Sequence, residues 1–187
     1  MEMLDVYTHD GERTGKLVER GRRYRLADDE YTMVVHAFLY HRDHGFLIQK
    51  RSATKRVLPG AWCVTMGVVQ AGEDSEGGMR REVREELGLE LTDEQIRSCV
   101  RTYNGHKIVD VYLVYINTEL EDMVLQTEEV EQVCWISGRE VLSRFGGRNA
   151  KVNEEYLSCM QRYVHVTAKA AKRRRRRQNA KLAKQGN

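Results

Sequence analysis

The sequence predicts an α/β domain, and three observations carry the prediction. Two adjacent runs rich in β-branched and aromatic residues, Tyr31–Tyr40 and Gly45–Lys50, read as strands. A later pair, Val100–Tyr103 and Ile108–Ile116, reads the same way. Between the pairs lies a helical stretch with apolar residues every fourth position: Met79, Val83 and Leu87. At 187 residues the chain can bury one good core, and the expected domain covers residues 1–168.

The elements follow in order. Residues 3–19 alternate loosely about Asp10-Gly11, a hairpin-turn dipeptide, and 24–30 form a polar connector. Between the first strand pair, HRDHG suits a tight turn, so the two strands form a hairpin. RSATKR (51–56) is a basic loop, and Pro59, the only proline, stiffens the approach to Gly67. Gly88 ends the helix, as a glycine just past a last turn commonly does. Thr92-Asp93-Glu94-Gln95 opens a short helix through a capping box. A loop with Thr127-Glu128-Glu129 precedes a strand at Val133–Ile136. Ser137 with Glu140 caps another helix, and Asn153-Glu154-Glu155 opens the last. Tyr156, Leu157, Met160 and Val164 dock that one on the domain.

The chemistry gathers on the first helix. Glu82, Glu85 and Glu86 occupy i, i+3 and i+4 and share one face, opposite Met79, Val83 and Leu87. Two readings fit: a solvated acidic face, or hard oxygen ligands for a divalent cation such as Mg²⁺. Anchorage of the opposite face favours the second. Arg51 and Lys55 likewise read as a solvated loop or as contacts to phosphate oxygens. Asp110 breaks an apolar strand, and a buried carboxylate is costly unless paired or metal-bound, so it is a candidate for the substrate site. The six histidines are scattered without metal-ligand spacing, and His36 reads as a hydrogen-bonded core residue.

Four cysteines lie far apart with no C-x-x-C pair, which predicts reduced thiols in a cytoplasmic protein. No apolar run reaches the length of a membrane span, and the N-terminal stretch is too polar for a signal peptide. The net charge of +3 hides an asymmetry. Nine of 31 Lys and Arg residues fall from Lys169 onward with no acid among them, leaving 22 against 28 acids in the rest. The run Arg173–Arg177 cannot bury an apolar face and is expected as a disordered basic tail, 169–187, with Ala168–Lys172 able to extend the preceding helix by a turn or two. Such a tail is either a frayed terminus or an arm for weak binding of polyanions: nucleic acid, ribosomes or an anionic membrane.

Gly67, five residues, Glu73, seven residues, then Arg81-Glu82-Val83-Arg84-Glu85-Glu86-Leu87-Gly88-Leu89 matches every fixed position of G-x5-E-x7-R-E-U-x-E-E-x-G-U, where U is aliphatic. By this box, residues 67–89, the chain resembles the Nudix hydrolases, which cleave a nucleoside diphosphate linked to another group. The resemblance implies an α/β/α sandwich with a mixed sheet and a loop–helix–loop metal site. It implies Mg²⁺ or Mn²⁺ on Glu82, Glu85 and Glu86, with the Gly67 carbonyl as a further ligand. Glu73 and Arg81 would tie the box loop to its helix, and Glu128 or Glu129 would serve as base for the attacking water.

The segments LDVYTHDGERTGK, VVH, LIQKRSATK, PGAW, VDVYLVY and LQTEEVEQVCWI, spread over about residues 3–137, are similar to the branch related to isopentenyl-diphosphate isomerase. There Arg51 and Lys55 fall where a diphosphate is held. The isomerase's catalytic cysteine, just before the box glycine, is Met66 here, and its metal-binding histidine just after that glycine is Val68. A thioether cannot exchange a proton, so hydrolysis is the expected chemistry and isomerisation the alternative. A third reading is a nucleotide-binding Nudix module without catalysis, but such modules usually lose box carboxylates and this chain keeps them all. The substrate is expected to be a small diphosphate compound; which one, and the oligomeric state, are left open by the sequence.

Overall fold

A computed structural model describes residues 2–146 and 152–185. In order, the elements are β1 (Met3–Tyr7), β2 (Arg13–Glu19), β3 (Thr32–His41), β4 (Gly45–Arg51), β5 (Trp62–Cys63) and β6 (Thr65–Val68). Helix α1 (Ser75–Leu87) precedes β7 (Ile96–Tyr103), β8 (Lys107–Ile116) and β9 (Val130–Ile136), then α2 (Gly138–Phe145) and α3 (Glu154–Gln185). Short 3₁₀ turns sit at Asp93–Gln95 and Leu120–Asp122.

The main sheet is mixed. Strands β3 and β8 run parallel from Thr32↔Lys107 to His41↔Ile116, and β7 pairs antiparallel with β8. Side-chain alternation along β3 and β8 sends their residues to opposite faces. Met33, Val35, Ala37 and Leu39 meet Met79, Val83 and Leu87 of α1. Phe38, Val111 and Leu113 meet Val141 of α2 and Cys159, Met160 and Tyr163 of α3. One helix on one face and two on the other give the expected α/β/α sandwich. The β1–β2 hairpin has its own small cluster of Leu4, Val6 and Val18, packed with Val68.

One departure from a plain hairpin positions the site. Strands β3 and β4 pair only beside their turn, at Tyr40↔Phe46 and His41↔Gly45. Beyond it they part, and the returning chain fills the gap. β6 pairs with β3 from Val34↔Val68 to Ala37↔Thr65, and β5 pairs with β4 at Gln49↔Cys63 and Lys50↔Trp62. β9 also pairs with β4, from Phe46↔Ile136 to Arg51↔Val130. Gly67 and Gln49 are thereby brought beneath α1.

The tail departs from expectation. Lys169–Gln185 are not an unfolded appendage; they continue α3, 32 residues long in all. Repulsion between like charges one turn apart costs only ~0.2–0.5 kcal/mol per pair, while Ala, Arg and Lys are strong helix formers. The preceding turns are anchored by buried Tyr163 and Thr167, so the helix extends from a fixed base. Arg174 Nη1 also reaches Asp43 Oδ1 at 2.7 Å. No described helix is long and apolar enough to cross a membrane.

Candidate active site

Helix α1 begins where Asp74 Oδ1 accepts the Gly77 N–H at 2.7 Å and ends at Gly88, whose φ of 70° suits a residue without a Cβ. Met79, Val83 and Leu87 are fully buried. The opposite face carries Glu82, Glu85 and Glu86 towards Gly67, and the contact is close: a Cβ added at Gly67 would lie 1.9 Å from Glu82 Cδ. Any larger residue there would displace the Glu82 carboxylate from its place beside Gly67, and the φ of Gly67 is unremarkable.

These residues line a cleft of about 210 Å³ together with Arg51, Lys55, Met66, Arg81 and Glu129. Glu82 and Glu86 are withdrawn from the solvated surface of the simpler reading, while Glu85 stays exposed. Glu86 is 3% exposed, and its Oε2 accepts the Gln49 Nε2–H at 2.6 Å, while Gln49 Oε1 accepts from Thr65 Oγ1 at 2.9 Å. Burial pushes the Glu86 carboxyl up to about 7; the Gln49 bond opposes this and the charges of Glu82 and Glu129 add to it. Burial also raises Glu82, partly offset by Arg81.

Arg81 is the hub of the box. Its Nε and Nη2 bond both oxygens of Glu73 at 2.8 and 3.1 Å, and Nη2 also donates to Val68 O at 2.8 Å. Nη1 reaches Glu82 Oε1 at 2.8 Å and Glu85 Oε2 at 3.1 Å. Burial opposes its charge, but Glu73 and Glu82 outweigh that and hold its pKa above the usual arginine value. One guanidinium thus joins loop, strand end and helix, and separates two acids that would repel.

The donor set suits a hard divalent cation: three carboxylates and a backbone carbonyl at a glycine that leaves room for them. In this structure the carboxylates are parted, Glu82 and Glu85 towards Arg81 and Glu86 towards Gln49, and their oxygens do not gather within 4.8 Å of one another.

Other expected site residues divide. Glu129 lies in the cleft and pairs with Lys55, whereas Glu128 is exposed and outside it. Residues 127–129 form one turn, so neighbours point apart. Arg51 lines the cleft, its Nε donating to Val57 O at 3.0 Å. Asp110 is a correction: it does not line the cleft. It is 2% exposed and bound at both oxygens, 2.8 Å each, by Arg101 directly across the β7–β8 register. Its burial is balanced by a bidentate pair, which makes it structural. Gln49, buried beneath the cleft against Glu86, is the partner that the sequence reading missed, although a polar residue inside FLIQK was the same kind of signal that drew notice at Asp110.

Met66 also borders a second, mostly apolar pocket of about 280 Å³ with Trp62, Phe145 and Tyr156. His36 lies there, its Nδ1 2.6 Å from Tyr156 Oη, with burial foremost and Lys107 next lowering its pKa to about 4. Burial pushes the nearby Cys63 thiol up to about 11. The histidines are not all isolated: His41 and His44 stack at 4.5 Å across the β3–β4 turn, and Glu119 Oε2 lies 3.0 Å from His44 Nε2. This group is remote in sequence from the box and is the one His/Cys/Asp/Glu gathering of metal-site dimensions among the described residues.

Comparison with known proteins agrees with this geometry. Residues 30–156 match the NUDIX domain family. An uncharacterised Nudix hydrolase of Listeria innocua is 33% identical over 138 residues, 73% of this chain and 80% of that protein. Nucleoside triphosphatase NudI of Escherichia coli is 28% identical over 114 residues, 56% of this chain and 81% of that one. The crystal structure of DR0079 from Deinococcus radiodurans superposes with a TM-score of 0.67 at 23% identity, covering 86% of this chain and 98% of that one, a likeness of fold. With the box residues meeting in one cleft on that fold, the chain belongs to the Nudix hydrolase family.

Proposed function

We propose that the protein hydrolyses a pyrophosphate bond in a nucleoside diphosphate derivative or related organic diphosphate, with Mg²⁺ or Mn²⁺ in the cleft. The observation that carries this reading is that Gly67, Glu82, Glu85 and Glu86 share one cleft with Arg51, Lys55 and Glu129. When bound, the metal neutralises phosphoryl charge and acidifies water. The three box carboxylates and the Gly67 carbonyl hold it. Arg51 and Lys55 take phosphate oxygens, and Glu129 accepts the proton of the attacking water. Glu73 and Arg81 position the helix and loop.

The likeness to a nucleoside triphosphatase supports nucleotides as the first substrates to try, followed by nucleotide sugars, dinucleoside polyphosphates and isoprenoid diphosphates. The chain resembles the isomerase-like branch, but isomerisation is disfavoured: Met66 has no proton to shuttle, and Cys63 is a buried thiol with a raised pKa. The hydrolytic unit is residues 1–168, working in the cytoplasm, where four free cysteines stay reduced. The basic extension is reserved for a polyanionic partner. The test is a screen of these compounds with Mg²⁺ and with chelator, following release of phosphate or nucleoside monophosphate. Interconversion of isopentenyl and dimethylallyl diphosphate is measured beside it. Hydrolysis that stops with chelator supports the reading; isomerisation, or binding of a nucleotide returned intact, overturns it.

A further inference from the structure

The arginine run sits on the continuation of α3 and presents a row of cations that hydrolysis does not use. Seven of the nine residues from Lys169 to Arg177 are basic. Arg174 and Arg177 turn towards the domain, around Tyr40 and Tyr115, with Arg173 at the border of the two faces, and Arg174 pairs with Asp43 at 2.7 Å. Lys169, Lys172, Arg173 and Arg176 share another face, at i, i+3, i+4 and i+7. Among the described residues, Arg174 makes the only ion pair of the run. The row rises about 10 Å along the helix at ~1.5 Å per residue, the span of about four consecutive phosphates of one strand spaced ~3.4 Å apart.

We propose that this face binds the phosphate backbone of a nucleic-acid duplex without reading its sequence. Lys and Arg held in line meet a line of phosphates, and release of counterions supplies the free energy. Two other anionic partners suit it less. A helix lying on a membrane needs large apolar residues opposite its cations, and Ala168 to Ala180 contains none. A single strand is gripped by stacking on aromatic side chains, and the segment has none of those either. The rest of the chain, with 22 basic against 28 acidic residues, repels the same backbone and confines contact to the helix.

The test is anisotropy of a labelled duplex of about 20 base pairs, titrated with the full chain over a salt series. Four neutralised phosphates predict a slope of log K against log salt of about −3.5 on duplex DNA. Duplex RNA is run in parallel, and comparable binding to it supports the same backbone chemistry. The variant K169Q/K172Q/R173Q/R176Q should lose binding and bring the slope near zero. Ala171→Pro keeps every charge but interrupts the helix, and should weaken binding several-fold, with circular dichroism reporting the lost helicity. Binding unchanged in Ala171→Pro would show an unstructured polycation and overturn the proposal. So would tighter binding to a single strand or to phosphatidylserine vesicles than to the duplex. Nucleotide hydrolysis should be the same in both variants, so failure here is distinguishable from failure of the hydrolase reading.

Discussion

Replacing Glu86 with glutamine should make the metal-free protein more stable at neutral and alkaline pH while weakening its response to Mg²⁺. Glu86 is 3% exposed, and burial lifts its carboxyl from an ordinary 4.5 to about 7. The folded state then holds this proton more tightly than the unfolded state does. Its contribution to stability is complete below about 4.5 and is lost as pH rises to about 7. A difference of that size is worth about 3 kcal/mol, or roughly 6–12 °C in Tm for a chain of this length. Glutamine keeps the shape and the contact with Gln49 but has no proton to lose. The assay is thermal unfolding in chelator from pH 4 to pH 8, wild type against Glu86→Gln. Other groups titrate in both proteins (His36, lowered to about 4, shifts stability the opposite way), so the difference between the curves isolates Glu86. The two curves should coincide at the acid end and separate as pH rises. Mg²⁺ should then raise the wild type and leave the variant nearly unmoved. Parallel curves across the whole range would refute the reasoning, because they would mean that Glu86 is not a strained carboxylate.

Two further predictions follow from the cleft. Gly67→Ala places a methyl 1.9 Å from Glu82 Cδ and pushes that carboxylate aside, so turnover should fall about a hundredfold or more, ~3 kcal/mol, with the protein still folded by circular dichroism; full activity would mean that the position of Glu82 does not matter to turnover. Arg51→Ala should raise KM roughly ten- to hundredfold for any accepted substrate, the worth of one charged contact of ~1.5–3 kcal/mol, and an unchanged KM returns Arg51 to the solvated-loop reading.

Much of this architecture was legible, and the reasons are local. Met79, Val83 and Leu87 declare the buried face of α1 by spacing alone, and Gly88 declares its end; both are properties of one helix. What escaped depends on partners distant in sequence. Asp110 looked functional because its counter-charge, Arg101, is set by the β7–β8 register. That Glu86 is buried and bonded could not be read from the helix alone, because its partner Gln49 lies 37 residues earlier. Glu128 and Glu129 are indistinguishable in the chain and differ only in which way one turn points. His41 and His44 meet because a turn folds them together, with Glu119 arriving from beyond β8. The arginine run suggested disorder by charge, whereas helix propensity and the anchored turns before it prevail.

The parting of β3 and β4 has a consequence for how such a protein can change. The excursion 52–61 leaves β4 and returns at β5, and the pairs Gln49↔Cys63 and Lys50↔Trp62 clamp both its ends. Lengthening or recomposing that excursion costs little, because each doubling of a flexible loop adds only ~0.6 kcal/mol of closure entropy. The clamp holds β4 and β5 beside Gly67 and α1, while Lys55 at the start of the excursion keeps its pair with Glu129. New substrates can therefore be tried out on residues 56–61 while the box helix, Gly67 and the Lys55–Glu129 pair stay in place, so that inheritance of the chemistry and drift of the selectivity proceed on largely separate pieces of chain.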